Sequence, residues 1–399
     1  MTTNTIETDS ATELVEKLTD ELLAEFSPAT TDVVTFLGAQ FDRGLAWVHF
    51  DIGLGGLGLP PRSQSVIDAK LRAAGATHSG ARNPIGHGMG APTVHSWGSD
   101  VQKHRYLRPM FTGEEIWCQL FSEPGAGSDV AGLATKAMKD GDEWIVNGQK
   151  VWTTVAHLAK WGMLVARTDP EAEKHKGLTY FVIDMHGPGV EVRPLRQMTG
   201  DAEFNEVYFT DARVPDIERL GERGDGWRVS LTTLMNERVS IGGAIAPRGS
   251  GPIGQAVAAY KKYANGDRTK LDELMTLWTA AEAARLTNIR ASGNRKVGTP
   301  GPEGSVAKLA MAELNKKIFA FAVGLMGAEG MLYSDYGHRG VGAGMFTEDV
   351  QRSFLRSRAN SIEGGTSEVM RNILGERVLG LPGDVRVDKG VSWLSVPRN

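Results

Sequence analysis

Between Ile116 and about Pro215 the hydrophobic period of this chain changes from helical to two, and beyond Gly226 it changes back. No other feature limits the fold so strongly. A period near 3.6 buries one stripe of a helix, whereas a period of two sends alternate residues to opposite faces of a strand. The β-rich stretch opens with the apolar run Trp117 to Phe121, which ends in Ser122-Glu123 and turns through Pro124-Gly125-Ala126-Gly127-Ser128-Asp129. Asp140-Gly141 and Asn147-Gly148 both read as hairpin turns, because such pairs tolerate positive φ. Further strands are predicted at 161–167, 178–184, 190–194 and 204–209. Trp152-Thr153-Thr154 offers an aromatic plate followed by hydroxyls, which suits a planar cofactor. On its own, Trp152 reads more simply as a core aromatic.

Helical patterning flanks this domain on both sides. Residues 11–26 place Leu14, Val15, Leu18, Leu22 and Phe26 on one face, and helices are predicted near 31–43, 63–75 and 99–111. After the β segment, helices are predicted at 227–242, 253–264, 271–292, 305–332, 347–361 and 366–379. Pro247, Gly249, Gly251 and Pro252 predict a break at 247–252, and Gly337, Gly340, Gly342 and Gly344 a loop. At 399 residues the chain exceeds one ordinary core. The expected organisation is multi-domain α+β: an N-terminal helical domain (1–115), a middle β domain (116–220), a C-terminal helical domain (221–383) and a tail (384–399).

Composition removes several function classes. A net charge of −4 with no basic stripe gives no footprint for a nucleic-acid partner. No apolar run approaches the roughly 20 residues of a membrane span, and the polar, acidic start resembles neither a secretory signal nor a transit peptide. The single cysteine, Cys118, excludes an intrachain disulfide and fits a cytoplasmic protein. Gly53-Leu54-Gly55-Gly56-Leu57-Gly58 satisfies G-x-G-x-x-G, but Pro60-Pro61 follows where a dinucleotide fold needs a helix start. It is expected to be a connection between helices. His78, His87 and His95 have no ligand spacing, so no metal is expected and packing roles are.

Two carboxylates suit acid–base work. Glu237 lies beside Arg238 in an otherwise apolar helix, where desolvation would raise its basicity; periodicity alone favours a solvated face for the pair. Glu363 sits before Gly364-Gly365 and a helix start capped by Thr366 or Ser367, where backbone can approach a ligand closely. A helix N-terminus with a nearby acid is the simpler account of it.

EPGAGSDVAGLATKA, then NGQKVWTT, then EGGTSEVMRNILGERVLGLP together resemble the acyl-CoA dehydrogenases, from about residue 40 to 383. The resemblance implies an N-terminal helical domain, a β-barrel-like middle domain and a C-terminal four-helix bundle. It implies FAD as cofactor and an acyl-CoA substrate oxidised to the trans-2-enoyl thioester, with electrons passed to an electron-transferring flavoprotein. By the same resemblance Phe121 and Ser122 lie along the flavin ring, Ser128 near the pyrophosphate and the CoA chain, and Trp152 against the isoalloxazine. Thr154 would hydrogen-bond near its reactive nitrogen, and Thr366 and Glu368 are cofactor contacts. Asn236-Glu237-Arg238 matches the base position of isovaleryl-type members, which makes Glu237 the expected base, Glu363 its alternative and Arg238 a substrate contact. An acyl-CoA oxidase using oxygen and a non-catalytic subunit are the alternative readings. Homotetrameric members carry R-x-x-F-G after the first long C-terminal helix. Here that region reads KKYANGDRTKLDEL, and Gly324 replaces a family glutamine. A homo-oligomer or an α2β2 assembly with a homologous subunit is therefore expected.

Overall fold

A computed structural model describes residues 3–242, 247–295, 303–333, 349–383 and 385–396, without the side chains of 3–9, 238–242, 294–295 and 303. The predicted loop at Gly337, Gly340, Gly342 and Gly344 lies outside the described residues. The chain divides into two compact units. Met1–Arg193, Glu206–Thr233 and Asp388–Asn399 form the first, and Pro194–Asn205 with Leu234–Val387 the second.

The first unit begins with α1 (Thr3–Glu25), α2 (Val33–Asp42) and α3 (Gln64–Ala73), which share a core of Val15, Leu22, Phe36, Leu45, Ile67 and Leu71. Asp32 caps α2 by accepting from the Thr35 N–H at 3.0 Å. The 53–58 glycines connect α2 to α3 as expected. A Cβ on Gly56 would stand 2.1 Å from the Phe50 carbonyl oxygen, so the chain there is pressed against itself rather than open to a phosphate. Between α3 and α6 (Asp100–Thr112) the sequence suggests only a Gly/His-rich segment. The structure forms α4 (Ser79–Arg82), one π turn (Gly86–Gly90) and α5 (Ala91–Trp97). These pieces are too short and glycine-rich to show a helical period. Their histidines pack. The His87 ring lies 5.4 Å from that of Trp47 and burial pushes its pKa down to about 3, His95 stacks on Phe50 at 4.0 Å, and His78 accepts from the Gly80 N–H.

The sheet comprises β1 (Trp117–Leu120), β2 (Lys136–Asp140), β3 (Glu143–Thr154), β4 (Trp161–Arg167), β5 (Leu178–Asp184), β6 (Val190–Leu195), β7 (Phe204–Pro215) and β8 (Arg219–Leu220). Its order is β6-β7-β3-β2-β4-β5-β8, with β1 parallel to β4 from Trp117↔Trp161 to Leu120↔Leu164. Trp144, Val146, Leu164, Phe181, Ile183, Val207 and Phe209 fill its core. Asp140-Gly141 makes the expected hairpin, with Asp140 paired to Glu143 and Gly141 at φ 62°. Asn147-Gly148 does not turn; both residues lie inside β3, with Asn147 opposite Lys136. Glycine is required there for space, since a Cβ would stand 2.4 Å from Thr135 Oγ1. Asn147 is held by Asp211, whose N–H it accepts at 3.0 Å and whose carboxylate it donates to at 2.9 Å.

α7 (Gly226–Gly242) starts in the first unit and belongs to the second from Leu234. α8 (Pro252–Tyr263), α9 (Arg268–Arg295), α10 (Glu303–Leu325), α11 (Val350–Ser357) and α12 (Ser367–Arg377) follow. Ile253, Ala256 and Tyr260 of α8 share a core with Leu274 and Leu277 of α9 and Ile318 and Phe321 of α10. The expected break falls in place, since α8 starts at Pro252 after Gly251 at φ 68°. α10 stops at Leu325, short of the expected 332. Gly327, at φ 56°, diverts the chain into a 3-10 turn over Gly327–Met331. Among the described residues no helix is long and apolar enough to cross a membrane.

Candidate functional site

The EPGAGSD turn closes on itself, with Glu123 and Ala126 exchanging two backbone hydrogen bonds of 3.0 Å. Ser128 and Asp129 are left exposed beyond it. Underneath lies a buried ion pair that sequence reasoning missed. Lys150, fully buried, donates from Nζ to Glu123 Oε1 at 2.8 Å and to the Phe121 carbonyl at 3.0 Å. Glu123 also accepts from the Ala134 N–H at 2.7 Å and the Thr135 N–H at 2.9 Å. Burial alone would raise the Glu123 carboxyl, but Lys150 and the two amides hold it below the usual carboxylate range. Burial pulls the Lys150 ammonium down, against the pull of Glu123. The readable signal was parity, since Lys150 shares the inward register of Trp144 and Val146 on β3.

Two residues beyond Lys150, period two would turn Trp152 inward as well. Instead its φ is 61°, a region costly for a bulky side chain, and its ring is 57% exposed while Thr153 takes the buried position. Val155, at φ 55°, is strained likewise. The Val151 N–H donates to the Ser122 carbonyl at 2.9 Å, so this end of β3 is fastened to the loop that carries Phe121 and Ser122. Phe121 itself is buried edge-on to Tyr180, with ring centroids 5.8 Å apart, while Ser122 and Thr154 are half-buried. A large indole held outward at a backbone cost can cover a planar group. A concavity of about 730 Å³ on this unit is lined by Trp97, Gln102, Asp142, Ile217 and Arg219 and contains none of these motif residues.

Both candidate bases lie in the second unit. Both Glu363 oxygens are taken by Arg356, at 3.1 and 2.8 Å, and Asn360 donates to Oε1 at 2.7 Å. Arg356 is buried and also contacts Glu203 at 3.4 Å. Glu363 is thereby a strut for the turn that follows it, where Gly364 (φ 61°) and Gly365 (φ 91°) lead into α12. Lys308, buried on α10, donates to the carbonyls of Asn360 at 2.8 Å and of Gly365. Burial lowers its pKa, and Glu363 and Glu237 pull the other way, so both carboxylates lie within its electrostatic reach. Glu237 is half-buried on α7; the Arg238 side chain lies outside the described residues. Thr366 caps α12 by accepting from the Val369 N–H at 3.1 Å, and Glu368 is exposed and pairs with Arg371. Among the described residues no cluster suited to a metal ion occurs.

Three family domains match this chain in order: the acyl-CoA dehydrogenase N-terminal domain over residues 8–114, the middle domain over 118–212 and the C-terminal domain over 224–379. The chain belongs to the acyl-CoA dehydrogenase family. That places it among flavoprotein oxidoreductases and accounts for the order of helices, sheet and helices. It is 39% identical over 348 residues to acyl-CoA dehydrogenase FadE34 of Mycobacterium tuberculosis, covering 86% of this chain and 46% of that protein. The chain thus spans less than half the length of FadE34. It is 39% identical over 307 residues to acyl-CoA dehydrogenase IpdE1 of the same organism, covering 76% and 77%. Among solved structures, a chain of the ChsE4-ChsE5 complex from Mycobacterium tuberculosis superposes with a TM-score of 0.70 at 25% identity, covering 94% of this chain and 98% of that one.

Proposed function

We propose that this protein is an FAD-dependent dehydrogenase of acyl-CoA thioesters that introduces a trans-2 double bond, with Glu237 as the base. The observation that carries the proposal is Trp152, exposed at the cost of a left-handed backbone directly after a buried ion pair. Such an arrangement fits a flavin ring. Trp152 would cover one face of the ring and exclude water from it, Ser122 and Thr154 would hydrogen-bond its edge, and Ser128 would meet the pyrophosphate and the CoA chain. Thr366 and Glu368 would contribute from the start of α12. FAD, when bound, supplies the hydride acceptor for the substrate β-carbon.

The remaining chemistry is one proton transfer. Glu237 would take the α-proton of the thioester onto its carboxylate, with Arg238 beside the substrate. Glu363 is poorly suited to that task, because Arg356 and Asn360 already occupy its oxygens. Electron-transferring flavoprotein is the acceptor we propose. KKYANGDRTKLDEL, lacking the family's Phe-Gly, together with the two-component ChsE4-ChsE5 neighbour, supports a homologous partner subunit that completes the cofactor site. The test is single-turnover bleaching of the flavin by acyl-CoA under anaerobic conditions in Glu237→Gln and Glu363→Gln. Glu237→Gln should slow bleaching by on the order of 10²-fold or more. Full turnover in Glu237→Gln alongside a dead Glu363→Gln would reverse the assignment.

A further inference from the structure

The family's C-terminal domain matches only as far as residue 379, yet the chain beyond it is bound to the first unit through specific contacts. The Trp393 N–H donates to the Ala172 carbonyl at 2.8 Å, the Leu394 N–H to that of Pro170 at 3.3 Å, and the Trp393 indole N–H to that of Gly132 at 3.2 Å. The Arg167 guanidinium lies 4.5 Å over the Trp393 ring. Arg167 is itself buried, donating to the carbonyls of Ala131 at 2.6 Å, Lys174 at 2.8 Å and Leu133 at 3.3 Å. It therefore ties the loop after Ser128 to the loop between β4 and β5, and the Trp393 ring packs over its guanidinium. Lys174 repeats the pattern at the rim, with Nζ 2.5 Å from Asp388 and 3.0 Å from Asp129. A Cβ on Gly125 or Gly127 of the motif loop would meet nothing within 4 Å among the described residues.

We infer that residues 388–395 are a strap that fixes the Ser128–Gly132 loop, with Trp393 a positioning residue for binding of the CoA moiety. The inference rests on the reading above, in which Ser128 meets the CoA chain. A loop that carries a ligand contact and samples several positions binds more weakly in proportion to the fraction of time it is competent. Loosening the strap should therefore raise KM and leave the chemical step alone.

The experiment compares the full chain with Trp393→Ala, Trp393→Phe and a chain ending at residue 383. Hydrogen exchange is read at residues 128–135 and 168–177, and KM and kcat are measured with an acyl-CoA that the unaltered chain turns over. Trp393→Ala and the truncation should speed exchange in both loops by about tenfold or more, as expected when a local anchor of order 1.4 kcal/mol is lost. They should raise KM about fivefold with kcat within about twofold, and Trp393→Phe should stay close to the unaltered chain. Unchanged exchange, or loosened loops with an unchanged KM, overturns the inference. Failure of the unaltered chain to bind FAD or oxidise any acyl-CoA would instead sink the functional reading, and unchanged or quickened exchange would still decide whether the strap holds the loop.

Discussion

Lys150→Met tests whether the buried pair under the motif loop holds the site in shape. The substitution keeps the length of the side chain and removes its charge. Glu123, only 8% exposed, would keep the two amide donors of Ala134 and Thr135 but lose its counter-charge. Deleting one partner of a buried pair costs about 3–5 kcal/mol, because the remaining charge is stranded. For a unit of this size, about 2–4 °C per kcal/mol, Tm should fall by roughly 6–20 °C. The pH dependence identifies the cause. In the unaltered chain the Glu123 carboxyl is held below its ordinary value of 4.5, so its contribution is complete above that pH and is lost only as pH falls through the lowered value. In Lys150→Met burial is no longer opposed by Lys150, so the carboxyl should titrate above 4.5. Protonation then relieves the stranded charge, and the Tm gap should narrow as pH falls from about 7 to about 5. Glu123→Gln/Lys150→Met should recover part of the loss. A gap that does not change with pH, or a drop of less than about 2 °C at pH 7, would refute the reasoning. The same variants report on the site: Trp152 stands two residues from Lys150, so Lys150→Met should also retain less FAD per chain by absorbance.

Two further outcomes follow from buried groups. Cys118 is fully buried and burial pushes its thiol pKa up, so Ellman's reagent should find no reactive thiol in the native chain and one per chain in denaturant; rapid native labelling would contradict the described β1. Burial pushes the His87 pKa from 6.5 down to about 3, so the folded chain stays unprotonated there while the unfolded chain gains a proton. Its contribution to stability is complete above pH 6.5 and declines as pH falls towards about 3. His87→Leu should therefore flatten the stability profile across that window in denaturant melts, and an unchanged slope would count against the described packing on Trp47.

Long regular elements were legible in the sequence because each repeats one period over many residues. β4 and β5 fall at 161–167 and 178–184 as the alternation predicts, and most helices of both flanks appear with end errors of a few residues, except that α1 begins at Thr3 rather than 11 and α10 stops at Leu325 rather than 332. Reading failed where a residue's local preference was overridden by a distant neighbour. Asn147-Gly148 has the composition of a turn, yet it lies inside β3, where Gly148 has a φ of 153° and a Cβ would run into Thr135. α4 and α5 were hidden by shortness. The site shows the same division. The motif residues are named by resemblance alone, and period two puts Trp152 in the core, whereas the left-handed φ of 61° brings it out. Glu123, Lys150, Arg167 and Arg356 went unnoticed because a charged residue reads as solvated unless its partner is known, and those partners lie 27 residues away for the first pair and in another loop for Arg167. The choice between Glu237 and Glu363 turns on the same point. By sequence the two are separated only by resemblance, whereas the Arg356 fork is a physical reason for Glu363 to remain a strut. A carboxylate whose two oxygens are already engaged must give up charge-assisted hydrogen bonds before it can accept a substrate proton.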